Sequence, residues 1–452
     1  MKEEEISLEA SEALAAPERK DTLLEKAEKR SRRQFLKQKV IGLSPEFLIG
    51  TGEIAGLIGV VALNFFCLLP FFGQEQQALT FSAPLIPVLA KIISPLMPYS
   101  YGVRFWLVLF MLFLPVSLYF FVREISKRRL TAFIASLIVI LPVGIFLPLR
   151  VRLGLLFEDG GQVASLTLTI LVCQLLLRFL RKGGFKIGLA SSLTASLVAL
   201  TSPLGLFILL YFMLTLTFSE MLLSQGRLKL FRLLTVLLLA GGFSAFWYNP
   251  KFAFLIVNSY QGELIRKTLV NLFPLSFFLV PLLGAVGFLL FENRPELQPL
   301  FLALFLSIGF GFLSLGTGLQ LSSPSRFLPS LGVAGAFLGG VLLTGFFDFV
   351  RGSASLKKFR FLDEHRRLAS SLLVFLFIFF SLATVEFSGR GLRELEEGQV
   401  LGLGTIKKTG IWEMRKQTQG FFVLIGNLIS LAAVGLVVFL GTRIRERSRF
   451  SG

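Results

Sequence analysis

Histidine is nearly missing from this chain, and cysteine is almost as scarce: one of the first and two of the second in 452 residues. The single histidine, His365, lies in a charged connector, Leu362-Asp363-Glu364-His365-Arg366-Arg367, where a solvated face is the ordinary use of such a run. A histidine-cluster metal site is therefore excluded, as is a Ser-His or Cys-His couple anywhere outside that neighbourhood. Cys67 and Cys173 both sit inside apolar segments, which leaves no disulfide framework and no thiolate metal site. Long polar stretches are scarce too. The longest outer connector, 388–420, has too little apolar content to build a core, so no soluble catalytic domain is expected.

What the chain has in abundance is apolar length. Hydrophobic residues make up 54% of it, with 50 Phe. They gather in runs at 52–72, 103–122, 130–149, 162–180, 187–201, 204–223, 233–248, 269–291, 299–315, 327–350, 368–387 and 421–441. These runs predict an all-α integral membrane protein, a polytopic bundle of about 12 transmembrane helices. The break at Ser202-Pro203 is open to two readings, a kink or a true turn. Three parts follow: a charged arm over 1–49, a membrane domain over 50–442 and a basic tail over 443–452. The arm lacks the apolar core of a signal peptide, and its bases crowd between Lys26 and Lys39, where Glu28 is the one acid. That crowding suits anionic lipid head groups beside a first span.

Connectors assigned to the inside by this count carry twice as many Lys and Arg as those assigned to the outside. The asymmetry places both termini in the cytoplasm of a multi-pass inner-membrane protein. The net charge of +18 is then topology and lipid contact, and it implies no nucleic-acid partner.

The stretch 70–98 follows the first run and is punctuated by Pro70, Pro84, Pro87, Pro95 and Pro98. It is too broken to span a bilayer, and short helices lying on the membrane surface fit it, or a packing collar around the bundle mouth. Leu85, Val88, Leu89, Ile92 and Ile93 share one helical face that should meet lipid, with Lys91 toward head groups. Ahead of them Glu75 stands between Gln74 and Gln76. Glu158 and Asp159 precede Gly160-Gly161 at the start of another run, and Arg150 and Arg152 come just before them. The acids suit helix caps, or a divalent-cation site or general base. The arginines suit charge neutralisation or a phosphate clamp. Arg326 opens a late span after a Gly-rich loop, where it either snorkels or binds.

In their order these features resemble the GT-C superfamily of membrane glycosyltransferases, and among them bacterial membrane proteins named for a relation to 6-pyruvoyl-tetrahydropterin synthase. That name implies no pterin chemistry for this region. The resemblance covers most of 50–350. It rests on the proline-rich segment 70–98, the Gly160-Gly161 loop, the Thr201-Ser202-Pro203 break, the motif Ala245-Phe246-Trp247-Tyr248-Asn249-Pro250, and the pair Arg326-Phe327. Two positions depart from the pattern. The first outer loop carries one carboxylate, Glu75, where paired acids are usual, and Ser202 stands where a histidine is expected.

The resemblance implies a polyprenyl-phosphate sugar donor entering from membrane lipid, with transfer to an acceptor hydroxyl at the outer face. Such a step needs a carboxylate to take the acceptor's proton and cations to meet the departing phosphate. Glu75 is the expected base, with Asp159 second and Glu158 beside it. Arg326 and Arg152 are the expected phosphate contacts, with Arg150, Gln74 and Gln76 as further substrate contacts. A divalent cation is a possible addition. The departures also suit a scaffold of envelope polysaccharide assembly that has lost catalysis. A lipid or polysaccharide transporter would show charges within spans and related halves.

Overall fold

The computed structural model describes residues 50–72, 83–141, 146–151, 154–155, 160–223, 226–258, 295–318, 327–352, 411–418 and 420–450, with single positions at 266, 270 and 286. The chain divides at Ile58, and of the first unit only 50–58 is described. There Glu53 opens the first helix, its carboxylate accepting from the Gly50 amide at 3.4 Å. An acid in a first turn suits the exposed amides of a helix start.

Among the described residues every regular element is helical. In chain order they are α1 (Thr51–Phe72), α2 (Leu85–Ile92), α3 (Tyr99–Ser126), α4 (Arg129–Val139), α5 (Leu147–Val151), α6 (Gly160–Lys182) and α7 (Phe185–Thr201). After them come α8 (Pro203–Leu223), α9 (Gly226–Ser244), α10 (Pro250–Val257), α11 (Gln298–Gly318), α12 (Leu328–Gly352), α13 (Ile411–Lys416) and α14 (Phe421–Phe450). Six of these are long and apolar enough to cross a bilayer: α1, α3, α6, α8, α12 and α14. By length and composition this is a multi-pass membrane protein. Shorter apolar helices, α4, α7 and α11, complete the packing. Of the expected spans, 368–387 and nearly all of 269–291 lie outside the described residues.

The stretch 130–149 is not one continuous helix. Helix α4 ends at Val139, and the short α5 takes up the chain again at Leu147. Pro142 disfavours helix at the residue before it, which accounts for the stop. The break at Ser202 is a true turn. Gly188, near the start of α7, packs on Phe179 near the end of α6, and Glu220, near the end of α8, reaches Arg181 at that same end. Helices α7 and α8 therefore run antiparallel.

Prolines within the bundle leave carbonyls without their helical donors, and side chains supply the missing hydrogens. Pro115 in α3 has no N–H for the Met111 carbonyl, and the Asn64 amide from α1 donates to it at 3.1 Å. A second bond from the same nitrogen reaches the Leu112 carbonyl, also at 3.1 Å. Lipid offers an open carbonyl no hydrogen to accept, so Asn64 acts as a structural residue.

One end of the bundle is held by ion pairs. Arg181 of α6 donates to the Glu220 carboxylate at 2.8 and 3.0 Å, and to the Gln298 side-chain oxygen at 3.0 Å. Gln298 returns a hydrogen to Glu220 at 2.7 Å, and Lys229 approaches the other carboxylate oxygen at 3.3 Å. Beside them Arg178 meets Glu124 at 2.9 Å, and Lys127 meets it at 3.2 Å. Arg232 donates to the carbonyls of Phe179 and Leu180, closing the end of α6. The ends of α3, α6 and α8 and the starts of α9 and α11 thus share one charged junction. Asp348 of α12 pairs with Arg128 at that same end of α3.

Candidate functional site

The opposite end carries the proline-rich segment. Helix α2 is short, as the prolines require, and it is not a span. Ile86 and Ala90 are buried in a cluster with Cys67, Leu68, Phe71, Val103 and Leu107. Val88, Lys91 and Ile92 are exposed and Leu96 is 85% exposed, while Leu85, Leu89 and Ile93 are half-buried. The outward face is thus narrower than the five-residue stripe expected, because α3 takes part of it. Gly102 allows this: a Cβ there would stand 3.3 Å from both the Ala90 carbonyl and the Ile93 side chain. The Ala83 amide, just before α2, donates to the Thr201 carbonyl at 3.1 Å and ties the segment to the end of α7.

The residue that organises this end is Arg104, in the second turn of α3 and only 3% exposed. Its Nε donates to the Phe71 carbonyl at 3.2 Å, and its Nη1 donates to the Leu155 carbonyl. Phe71 is the last turn before the segment with Gln74, Glu75 and Gln76. Leu155 immediately precedes the segment with Glu158 and Asp159. One guanidinium therefore holds the points from which both acid-bearing segments of sequence depart. Past the second loop, Gly160 starts α6 against α3, where a Cβ would meet Leu107 at 2.5 Å and the Gly154 carbonyl at 2.7 Å. Nothing larger than glycine fits there.

Of the expected site residues, Gln74, Glu75, Gln76, Arg152, Glu158, Asp159 and Arg326 lie outside the described residues. Arg150 is described. It is buried on α5, donating to the carbonyls of Val139 and Phe146, the latter at 3.3 Å. Its Nη1 has no partner among the described residues, and burial pushes the guanidinium down to about 9. Phe327, which follows Arg326, lies edge-on to Phe207 in the first turns of α8, with ring centroids 6.0 Å apart. That fixes the start of α12 close to the Ser202 turn.

Ser202 itself is a helix cap. Its hydroxyl accepts from the Gly205 amide at 3.2 Å ahead of Pro203 at the first helical position. The aromatic motif is structural in the same way. Tyr248 donates its phenol hydrogen to the Ala199 carbonyl at 2.6 Å. Asn249 caps α10, accepting from the Phe252 amide at 2.9 Å, with Pro250 at its first position. Arg415 of α13 lies over the rings of Trp247 and Phe252, at 5.5 and 5.8 Å, and donates to the Phe246 carbonyl at 3.1 Å and the Thr418 hydroxyl at 2.8 Å. Helix α13 is thereby anchored on the motif.

Arg104, Arg415 and Glu220 were not singled out from the sequence. The available signal was charge inside or beside an apolar run, which in membranes is rarely idle. Among the described residues no cluster of three His, Cys, Asp or Glu side chains could hold a metal ion. No protein-family model matches the chain, and no curated protein matches it.

Proposed function

We propose that this is a GT-C-like membrane glycosyltransferase, moving a sugar from a polyprenyl-phosphate donor to an acceptor at the extracytoplasmic face of the inner membrane. The reading includes about twelve spans with both termini cytoplasmic. It puts the charged junction inside and α2 along the outer surface of the bilayer. The observation that carries it is Arg104, whose guanidinium joins Phe71 to Leu155 and so roots the Glu75 and Glu158/Asp159 loops at one place. Exposed Val88 and Ile92 on α2 and Leu96 in the turn after it, with Lys91 beside them, suit a surface where a lipid-linked donor would lie. Glu75 takes the acceptor's proton as the anomeric carbon is attacked, and Arg152 and Arg326 meet the departing phosphate. The test incubates membranes containing the protein with polyprenyl-phosphate sugars and follows release of sugar from lipid. Glu75→Gln is expected to lower transfer about 10²–10⁴-fold while insertion is unaffected. Full transfer by that variant removes Glu75 from the mechanism.

A second reading is favoured by Ser202. Where the resemblance places a histidine, this hydroxyl is occupied with the Gly205 amide. A catalytically degenerate scaffold of polysaccharide assembly would need no base there. Absence of transfer by the unmodified protein with every donor supplied would support this reading over the first.

A further inference from the structure

Helix α14 is the least covered of the apolar helices long enough to span: 6% of its apolar stretch is buried, against 83% for α6. One side of it is accounted for. Ser430 and Ala433 lie on the end of α9 and Gly426 on the turn that follows it, and Ser430 donates to the Gly242 carbonyl and accepts from the Phe246 amide, both at 2.8 Å. Close approach through small residues is how helices associate in lipid.

About a quarter-turn around the helix runs a second stripe, Asn427, Leu431, Val434 and Val438. All four are exposed. Their spacing of four, three and four residues is the repeat of a two-helix seam. Asn427 sets this stripe apart from an ordinary lipid-facing surface. It lies six residues beyond Phe421, about 9 Å into the helix at the usual rise. Its carboxamide has no hydrogen-bond partner among the described residues, in a place where lipid offers none. A carboxamide carries both a donor and an acceptor, so the same residue on an identical helix is its full complement.

We propose that the Asn427 stripe of α14 is the docking surface for a second copy of this chain. The two α14 helices run parallel about a twofold axis normal to the membrane, since both copies insert in the same sense. The Asn427 amides pair across that axis, with Leu431, Val434 and Val438 packing beneath them. A single buried asparagine in such a seam also selects one register.

Oxidative cross-linking in native membranes tests this with single cysteine variants of the full chain, whose own Cys67 and Cys173 are buried. Leu431→Cys is expected to give a band at twice the chain's mass. Leu436→Cys, exposed on the other side of α14, is expected to give none. In detergent, Asn427→Leu is expected to weaken dimerisation about tenfold, the scale of one interhelical hydrogen bond, while adding an apolar residue that the bilayer tolerates. The proposal is overturned by absence of the Leu431→Cys band, by an equal band from Leu436→Cys, or by a product of another mass. Undiminished dimer from Asn427→Leu overturns it as well.

Discussion

Tyr248 donates its hydroxyl hydrogen to the carbonyl of Ala199, and Ala199 is the residue whose helical donor would be the N–H that Pro203 lacks. The turn between α7 and α8 and the aromatic motif at the end of α9 are therefore one structure. The proline that permits the reversal leaves an acceptor open, and a phenol from 49 residues away closes it.

Removing that hydrogen bond is expected to be costly. Tyr248→Phe keeps the ring and strands the buried carbonyl, which amounts to about 1–3 kcal/mol of stability. Thermal unfolding of the purified protein in detergent measures it, and an unchanged midpoint would mean that water serves the carbonyl.

Asn64 and Pro115 make a second pair that can be tested together. Asn64→Leu alone is expected to cost about 1–2 kcal/mol, the larger part from the Met111 carbonyl. In a Pro115→Ala background the helix supplies its own N–H to that carbonyl, so the same change should cost much less. Additive losses would show that Asn64 acts through something other than the proline gap.

Glu220, with a side chain 1% exposed, is the centre of the charged junction. Glu220→Gln leaves Arg181 and Lys229 without their shared counter-charge, and about 3–5 kcal/mol is the usual consequence of halving a buried pair. The amount of folded protein extracted from membranes should fall sharply. Glu124→Gln should be milder, because Glu124 is 14% exposed against 1% for Glu220, and one of its two partners, Lys127, is 55% exposed and screened by water. Equal losses from the two variants would contradict the ranking.

Sidedness is open to labelling. Lys127→Cys and Gly184→Cys lie at the charged end, and Ser94→Cys and Asn258→Cys lie at the other. A membrane-impermeant thiol reagent applied to intact cells should reach only the second pair. Labelling of Lys127→Cys under those conditions would reverse the orientation and move the Glu75 loop to the cytoplasm.

Helix positions were legible because each apolar run carries its own signal. The runs at 52–72, 162–180, 187–201 and 204–223 fall on α1, α6, α7 and α8. The short helix after the first span was legible from its prolines, and Val88 and Ile92 face outward as their spacing implies. Local sequence does not decide whether Ser202-Pro203 bends a helix or ends it, since the same two residues serve as a kink or as a cap. That choice is made by distant contacts such as Arg181 with Glu220. Arg104 stands at the start of the run at 103–122 with no local cue to its role, because its meaning lies in two carbonyls, 33 and 51 residues away. Asn64 was visible as an interruption of an apolar run, but its role depends on Pro115 in another helix. The acids and arginines proposed for chemistry lie largely on segments outside the described residues, so the frame around them is what the structure contributes.

The charged junction also has a bearing on biosynthesis. Arg181 leaves the ribosome 39 residues ahead of Glu220 and 117 ahead of Gln298. At typical elongation rates the second interval is roughly ten seconds. Through that time the end of α6 must stay near head groups or water, where a guanidinium is tolerated. Arrival of α8 supplies the counter-ion, and arrival of α11 completes its hydrogen bonding. A nascent chain stalled after α8 would hold the charge pair but lack Gln298, so truncations on either side of residue 298 should differ in their resistance to extraction from the membrane.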